Sequence, residues 1–133
     1  MRTHLESLLV TAKVDVALWG HHQCGARGCP SPVGWPLTAF CPPPLTSLCA
    51  STYQRTCPVQ NETCTAGAPV HLVIGMAGYD LTHNLTPTLP PYMEVATDKD
   101  WGYTRFLVNS THMVVEFVAD SDAQVRDTLV LAH

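Results

Sequence analysis

The sequence predicts an α/β fold in which one helix precedes a buried strand and a β-hairpin follows further along the chain. Three observations support this prediction. Leucines at helical spacing stand directly before a buried strand, a second apolar strand ends in glycines, and two alternating strands meet at a tight turn. The length of 133 residues fits one domain.

The first segment predicts a helix, a strand and a site at the end of that strand. Leu5, Leu8 and Leu9 repeat at helical spacing, so residues 2–11 form a helix with one apolar face. Residues 14–19 are nearly all apolar, which favours a central strand covered on both faces. Gly20, His21 and His22 follow the strand. The carboxyl end of a buried strand is where α/β proteins place their functional groups.

Residues 24–50 differ in kind from the rest. They hold six of the chain's eleven prolines and four of its six cysteines, and Arg27 is their only charged residue. Neither helical nor strand periodicity is present, and the run of three prolines at 42–44 excludes both a helix and a central strand. So long a structureless stretch is uncommon within a compact domain, and we expect it to be a disordered insert.

The globular pattern returns after this stretch. Thr111 to Ala119 alternates apolar and mixed residues and follows Asn109-Ser110, which indicates the second strand of a hairpin. We predict strands at residues 70–76, 103–108, 111–119 and 126–132, and a loop at residues 79–101.

Bulk properties exclude two classes of partner and favour an oxidising compartment. The formal charge is −4 with no basic stripe, so nucleic acid is not expected, and no apolar run reaches the roughly 20 residues of a membrane span. Six cysteines suggest disulfides or a metal site. Three N-glycosylation sequons, at Asn61, Asn84 and Asn109, favour secretion. The N-terminus has no signal peptide, so we expect that the true N-terminus is missing.

Two separated segments carry a resemblance to a known family. Residues 14–22 and 53–59, joined with one histidine between them, resemble the G-H-x-H-x-Y-x-R-T-C-P-V segment of plant-type purple acid phosphatases. These enzymes are binuclear metallophosphoesterases. The resemblance implies that His21 ligates one metal and that His22 occupies the variable position. Gln23 stands where the second metal histidine belongs, and its amide is a poor substitute for imidazole.

The resemblance extends through most of the chain and implies an architecture. Residues 57–64, 68–78 and 102–117 resemble the family's short cysteine loop, glycine-ended strand and closing hairpin. The chain would then be an α+β fragment, the C-terminal part of a metallophosphatase α/β sandwich with a mixed sheet and a closing β-hairpin. We expect three regions: a piece of the catalytic core at 1–23, the insert at 24–50 and the family's C-terminal region at 51–133.

The same resemblance implies a cofactor, a substrate and a disulfide. The intact family pairs iron with zinc, manganese or a second iron, hydrolyses phosphate monoesters and is secreted or vacuolar. It also implies a disulfide between Cys57 and Cys64. The family's upstream aspartates and further histidines are not in this sequence, so we expect a phosphatase fragment that is inactive alone. Its oligomeric state stays open.

Two other functions compete with this prediction. One is a binding or structural module that keeps the fold without metals. The other is a zinc module built from the insert cysteines with His21 and His22, although the cysteine spacings lack the close pairs of structural zinc sites. The other histidines fit strand edges and loops better than replacement ligands: His71, His83, His112 and His133.

A coding hypothesis accounts for the insert. If Gln23 is CAG and Ser51 begins with AG, the segment between them carries splice-donor and splice-acceptor dinucleotides in frame. Removing it would leave a single histidine codon and restore the family motif. Residues 24–50 would then derive from a retained intron.

Overall fold

The computed structural model describes residues 2–19, 52–78, 81, 83, 85 and 88–132. The predicted insert at 24–50 and its flanking residues lie outside this range. Within it the elements are α1 (Arg2–Thr11), β1 (Val16–Trp19), β2 (Tyr53–Gln60), β3 (Thr63–Cys64), β4 (Val70–Ile74), β5 (Met93–Thr97), β6 (Gly102–Val108), β7 (His112–Ala119) and β8 (Val125–Ala132).

The strands form two sheets. In the first, the order is β1-β4-β2-β3, and β5 also pairs with β2. β1 and β4 run parallel, whereas β2 runs antiparallel to β3, β4 and β5, so the sheet is mixed. The second sheet is an antiparallel meander of β6, β7 and β8 that contains the predicted hairpin. The predicted α/β class, with a mixed sheet and a closing hairpin, is confirmed.

One detail of the sequence prediction is wrong, and one strand was not predicted. β5 lies within the predicted loop at 79–101 and pairs with β2. It is short, and prolines and charged residues flank it, so its sequence does not stand out as a strand. β2 itself was not predicted as a strand. Within the described residues β1 pairs with β4 and Leu18 is 49% exposed, so its predicted central position stays a prediction.

The core lies between the two sheets. Tyr53, Val70 and Leu72 of the first sheet pack in one buried cluster with Val115 and Phe117 of the second. The rings of Tyr53 and Phe117 lie 4.5 Å apart and nearly parallel. All five side chains are almost fully buried, and each buried side chain of this size contributes roughly 1.5–3 kcal/mol of hydrophobic stabilisation. The apolar face predicted for β7 therefore packs against the first sheet.

Gly102 marks the closest approach of the backbone in the second sheet. Its N–H donates to the carbonyl of Met76, which follows β4 and so connects the two sheets. A Cβ atom here would overlap the Val118 carbonyl and lie 2.6 Å from Cε2 of Phe117. The space beside Gly102 is thus filled by a backbone group and a core ring, neither of which can move freely.

We predict that Gly102→Ala lowers the free energy of unfolding by roughly 2 kcal/mol, because the methyl group overpacks the core. Urea denaturation measures the change. Gly78→Ala is the matched control, since nothing lies within 4 Å of a Cβ atom there. Equal effects of the two substitutions would contradict the packing described for Gly102.

Candidate functional site

The two halves of the family motif meet at one edge of the first sheet. Val73 of β4 is in register with Trp19 of β1 on one side and with Gln54 of β2 on the other. Trp19 ends β1, and Gln54 is the second residue of β2. Two strand spacings separate Trp19 from Gln54, which is roughly 10 Å. The chain therefore leaves β1 and enters β2 on the same side of the sheet, at the carboxyl ends of the parallel strands β1 and β4. We call this side the site edge.

The entry into β2 is held in place by hydrogen bonds. The N–H of Gly75 donates to the carbonyl of Thr52 over 3.1 Å. The side-chain amide of Gln54 donates to the Thr52 hydroxyl over 2.7 Å, and both side chains are buried. A buried amide and hydroxyl that satisfy each other fix the backbone that carries them. The start of β2 is consequently a rigid border of this edge.

The exit from β1 is held by a pair of rings. The indole Nε1–H of Trp19 donates to Nδ1 of His71 on β4 over 2.9 Å. The backbone N–H of His71 in turn donates to the Thr56 hydroxyl over 2.9 Å. Burial lowers the pKa of His71, and the nearby carboxylate of Glu6 opposes this shift in part. His71 is therefore neutral at pH 7 and able to accept the indole proton.

A second polar group joins the two sheets near this edge. The carboxylate of Asp127 on β8 accepts a hydrogen bond from the Tyr53 hydroxyl over 2.7 Å. The same carboxylate accepts two from the Arg55 guanidinium, over 2.6 and 3.0 Å, in a bidentate pair. Arg55 also pairs with Glu94 of β5. We call Tyr53, Arg55, Asp127 and Glu94 the inter-sheet polar cluster.

Burial and hydrogen bonding together fix the protonation states of this cluster. Only 12% of the Arg55 side chain and 7% of the Asp127 side chain are exposed. Burial by itself would raise the pKa of Asp127, but the hydrogen bonds from Arg55 and Tyr53 outweigh it, and the pKa lies below its usual range. Burial, followed by the bond to Asp127, raises the pKa of Tyr53 far above its ordinary value. The cluster thus holds one buried ion pair and a neutral phenol at all moderate pH values.

The cysteine loop and the hairpin turn carry the other predicted site residues. Cys57 and Cys64 form a disulfide, with Cα atoms 5.7 Å apart. Asn61 is exposed in the turn between β2 and β3, where its φ of 49° and the 62° of Glu62 match a type I′ hairpin turn. Asn109 is exposed in the β6–β7 turn, where its side-chain oxygen accepts the N–H groups of residues 111 and 112.

The predicted metal ligands lie outside the described residues. This applies to His21, His22 and Gln23, as well as to the insert cysteines and Asn84. Within the described residues, no three His, Cys, Asp or Glu side chains gather where they could hold a metal ion. His83 is exposed beside Asp98, whereas His71 is hydrogen-bonded to Trp19. The described part of the chain does not by itself fit a binuclear centre, and we derive no step through one.

The inter-sheet polar cluster was not among the predicted site residues. Its signal was present: Tyr53 and Arg55 are two positions apart in a strand and so share one face. Asp127 is an acidic residue near the start of the last strand, between Arg126 and Thr128. What the sequence could not show is that β8 lies opposite β2, because that depends on how the two sheets pack.

Comparison with known proteins identifies the fold and the family. Residues 68–128 match the family model described as iron/zinc purple acid phosphatase-like protein C. A purple acid phosphatase from yellow lupin (Lupinus luteus) seeds has the same fold, with a TM-score of 0.69 and 21% identity. The alignment covers 96% of this chain and 19% of the lupin chain. The chain therefore has the fold of a purple acid phosphatase C-terminal domain.

Curated relatives agree along nearly the whole chain. A protein from Arabidopsis thaliana named "Probable inactive purple acid phosphatase 9" is 31% identical over 97% of this chain. A zebrafish (Danio rerio) protein named "Acid phosphatase type 7" is 27% identical over 96% of it. The chain spans 17% of the first relative's length and 25% of the second's. The chain belongs to the purple acid phosphatase family and corresponds to part of its members.

We predict that Asp127→Asn lowers the free energy of unfolding by roughly 3 kcal/mol, because it leaves Arg55 with a poorly solvated and less compensated charge. Because the folded pKa of Asp127 is depressed, the pair's contribution is present at neutral pH and is lost as pH falls below about 4. The variant should therefore lose less stability than the parent protein across this acid window. Urea denaturation between pH 7 and pH 3 measures both effects.

The control is Asp122→Asn, which removes an exposed ion pair with Arg126 but keeps an oxygen for the N–H of Gln124. It should leave the stability almost unchanged, because exposed pairs contribute little. A parent-like unfolding curve for Asp127→Asn at neutral pH would show that the cluster does not hold the sheets together.

Proposed function

We propose that this chain acts as the C-terminal part of a metal-dependent acid phosphatase that hydrolyses phosphate monoesters, and that it is not catalytic alone. The observation that carries the proposal is the register of Trp19, Val73 and Gln54. It brings the end of β1, after which His21 follows in the sequence, and the start of β2 to one end of the sheet, the site edge. Such an edge, at the carboxyl ends of parallel strands, is where an α/β fold presents functional groups.

The comparisons support the reaction class and leave this chain's activity to experiment. The zebrafish relative is named an acid phosphatase, whereas the two Arabidopsis relatives are named probable inactive enzymes. In the family a metal pair would bind phosphate and activate water. His21 is the family ligand present in this sequence, and Gln23 replaces the other. One histidine is too few donors for two metal ions.

The short distance between the end of β1 and the start of β2 also supports the hypothesis that residues 24–50 are an insert without which the two strands can still be connected. If residues 24–50 are removed and one histidine replaces Gln23 and Ser51, five residues connect Trp19 to Tyr53. Five extended residues reach roughly 16 Å. The gap to be bridged is roughly 10 Å. A connection of this length closes without strain, and it restores the histidine of the family motif.

The test is a pair of chimaeras with the zebrafish relative, in which this chain replaces the matching segment. We predict that the chimaera with the chain as it stands does not hydrolyse p-nitrophenyl phosphate. The chimaera without residues 24–50, with histidine at the junction, should show metal-dependent hydrolysis. The reason is that it regains both motif histidines at one sheet edge. Hydrolysis rates with and without a chelator measure the result.

Two controls make this result specific. His21→Ala in the shortened chimaera should reduce the rate at least a hundredfold, whereas Lys99→Ala, an exposed residue after β5, should not change it. Metal-dependent turnover by the 133-residue chain alone would overturn the proposal, because it would require a different ligand set such as the insert cysteines.

The second candidate function is a binding or structural module that keeps the phosphatase fold without metals. Gln23 and the names of the two Arabidopsis relatives favour it. It differs from the first proposal in one measurable way. The shortened chimaera would support this second function if it folds, as judged by its unfolding transition, but binds no metal and has no activity.

We further propose that the chain matures in an oxidising compartment and is secreted or vacuolar. The disulfide between Cys57 and Cys64 supports this, because such bonds persist in secretory compartments. The exposed turn positions of Asn61 and Asn109 are compatible with N-glycans. The described residues contain no helix long and apolar enough to cross a membrane.

We predict that the chain, expressed behind a signal peptide in eukaryotic cells, carries an N-glycan at Asn109, because this sequon lies in an exposed hairpin turn. A mass loss on treatment with an endoglycosidase measures it. Thr111→Val removes the sequon and should abolish that part of the mass loss. A secreted chain in which Asn109 stays unmodified would contradict the prediction.

A further inference from the structure

We propose that His71 is a positioning residue for the end of β1: its Nδ1 accepts the indole N–H of Trp19 and thereby holds the last paired residue of that strand. Its importance for catalysis rests on the proposed function, in which His21, two positions after Trp19, is a metal ligand. The contact itself is independent of that function, since all its atoms belong to described residues.

The ring geometry shows a directed contact between Trp19 and His71. Nε1 of Trp19 and Nδ1 of His71 are 2.9 Å apart, the ring centroids are 5.7 Å apart, and the ring planes differ by 4°. An indole N–H points along its ring plane, and so does the lone pair of an imidazole nitrogen. Nearly parallel planes at this separation are compatible with an N–H···N hydrogen bond between the rings.

His71 is well placed to act as a fixed acceptor. It lies in β4, in register with Ala17 of β1, and its backbone N–H donates to the Thr56 hydroxyl. The β2–β4 register shifts between Arg55 and Pro58, and at this irregularity the acceptor for the His71 N–H is a side-chain hydroxyl. The imidazole is thus carried by backbone that is bonded on both sides.

Trp19 needs such a support because the pairing of β1 within the sheet holds it only weakly. β1 has four residues, and within the described part of the chain it pairs only with β4. Its ladder ends at Trp19, and His21 lies two positions further along. Holding the indole fixes the last paired residue by its side chain as well as its backbone.

The contact requires neutral His71. The indole can only donate, so Nδ1 must accept and the imidazole proton must sit on Nε2. Three elements pack against His71. From α1 the carboxylate of Glu6 acts on its charge, whereas β1 and β2 contribute the Trp19 indole and the Thr56 hydroxyl, which do not titrate in this range.

Acid should release the contact. Burial lowers the pKa of His71, so the unfolded chain takes up the proton more readily than the folded protein. The stability that the contact contributes is therefore present above pH 6.5 or so and is lost as pH falls below it. An imidazolium would turn an N–H group toward the indole N–H, and the two donors would separate.

The experiment uses the full chain with Trp35→Phe and Trp101→Phe, which leaves Trp19 as the fluorescent residue. We expect its emission to stay constant from pH 8 to pH 7 and to change with a midpoint below about 6.5. In the same background, His71→Gln should keep the neutral-pH emission, because its amide oxygen still accepts, and should lose the pH dependence. His71→Leu should show the released emission at every pH. His112→Gln, in the hairpin turn, should leave the titration unchanged.

Nitrogen chemical shifts of the imidazole give a second measure. At pH 7.5 Nδ1 of His71 should be the unprotonated nitrogen. A protonated Nδ1, or a Trp19 titration that persists in His71→Gln, would overturn the proposal.

The shortened chimaera then tests whether the contact matters for function. His71→Leu should lower kcat roughly ten- to a hundredfold, as expected when a ligand is misplaced, and His71→Gln should restore most of it. An unchanged kcat in His71→Leu would overturn the positioning role. If the chimaera is inactive while Trp19 responds as expected, the contact with His71 stands and the proposed function fails.

Discussion

The bidentate ion pair between Arg55 and Asp127 is the interaction on which the rest of this structure depends. It joins β2, the long central strand of the mixed sheet, to β8, the last strand of the antiparallel sheet. The Tyr53 hydroxyl completes the carboxylate's partners, and the Tyr53 ring packs on Phe117. Removing one partner of a buried ion pair leaves an uncompensated charge. We therefore expect the cluster to favour the packing of the two sheets in which Asp127 lies against Arg55.

That arrangement has consequences for the candidate site. Tyr53 and Arg55 belong to the strand that begins at the site edge, so fixing them to β8 also fixes the border where the chain returns from residues 20–51. The opposite border, Trp19, is held separately through His71. The two halves of the histidine motif are thus anchored by different means, one by an ion pair and one by a hydrogen bond between rings. Acid affects the two supports in different pH ranges.

Most of the fold could be predicted from local patterns, and the failures share one physical cause. Helix α1 begins and ends where the leucine spacing predicts, and β7 follows the alternation from Met113 to Ala119. β2 and β5 were missed, because strand pairing depends on distant partners that no local window contains. The same holds for Asp127, whose partners lie more than 70 positions away. The predicted ligands His21, His22 and Gln23 stay predictions, since they lie outside the described residues.

The central claim is that the exit from β1 and the entry into β2 flank the same residue of β4. Nuclear Overhauser contacts of Val73 in the 133-residue chain test it most directly. The structure predicts cross-strand backbone contacts from Val73 to Gln54 in an antiparallel pattern and to Trp19 in a parallel one. Contacts to one of these strands only, or a register shifted by one residue, would contradict the account, because a shift of one residue turns every side chain to the other face.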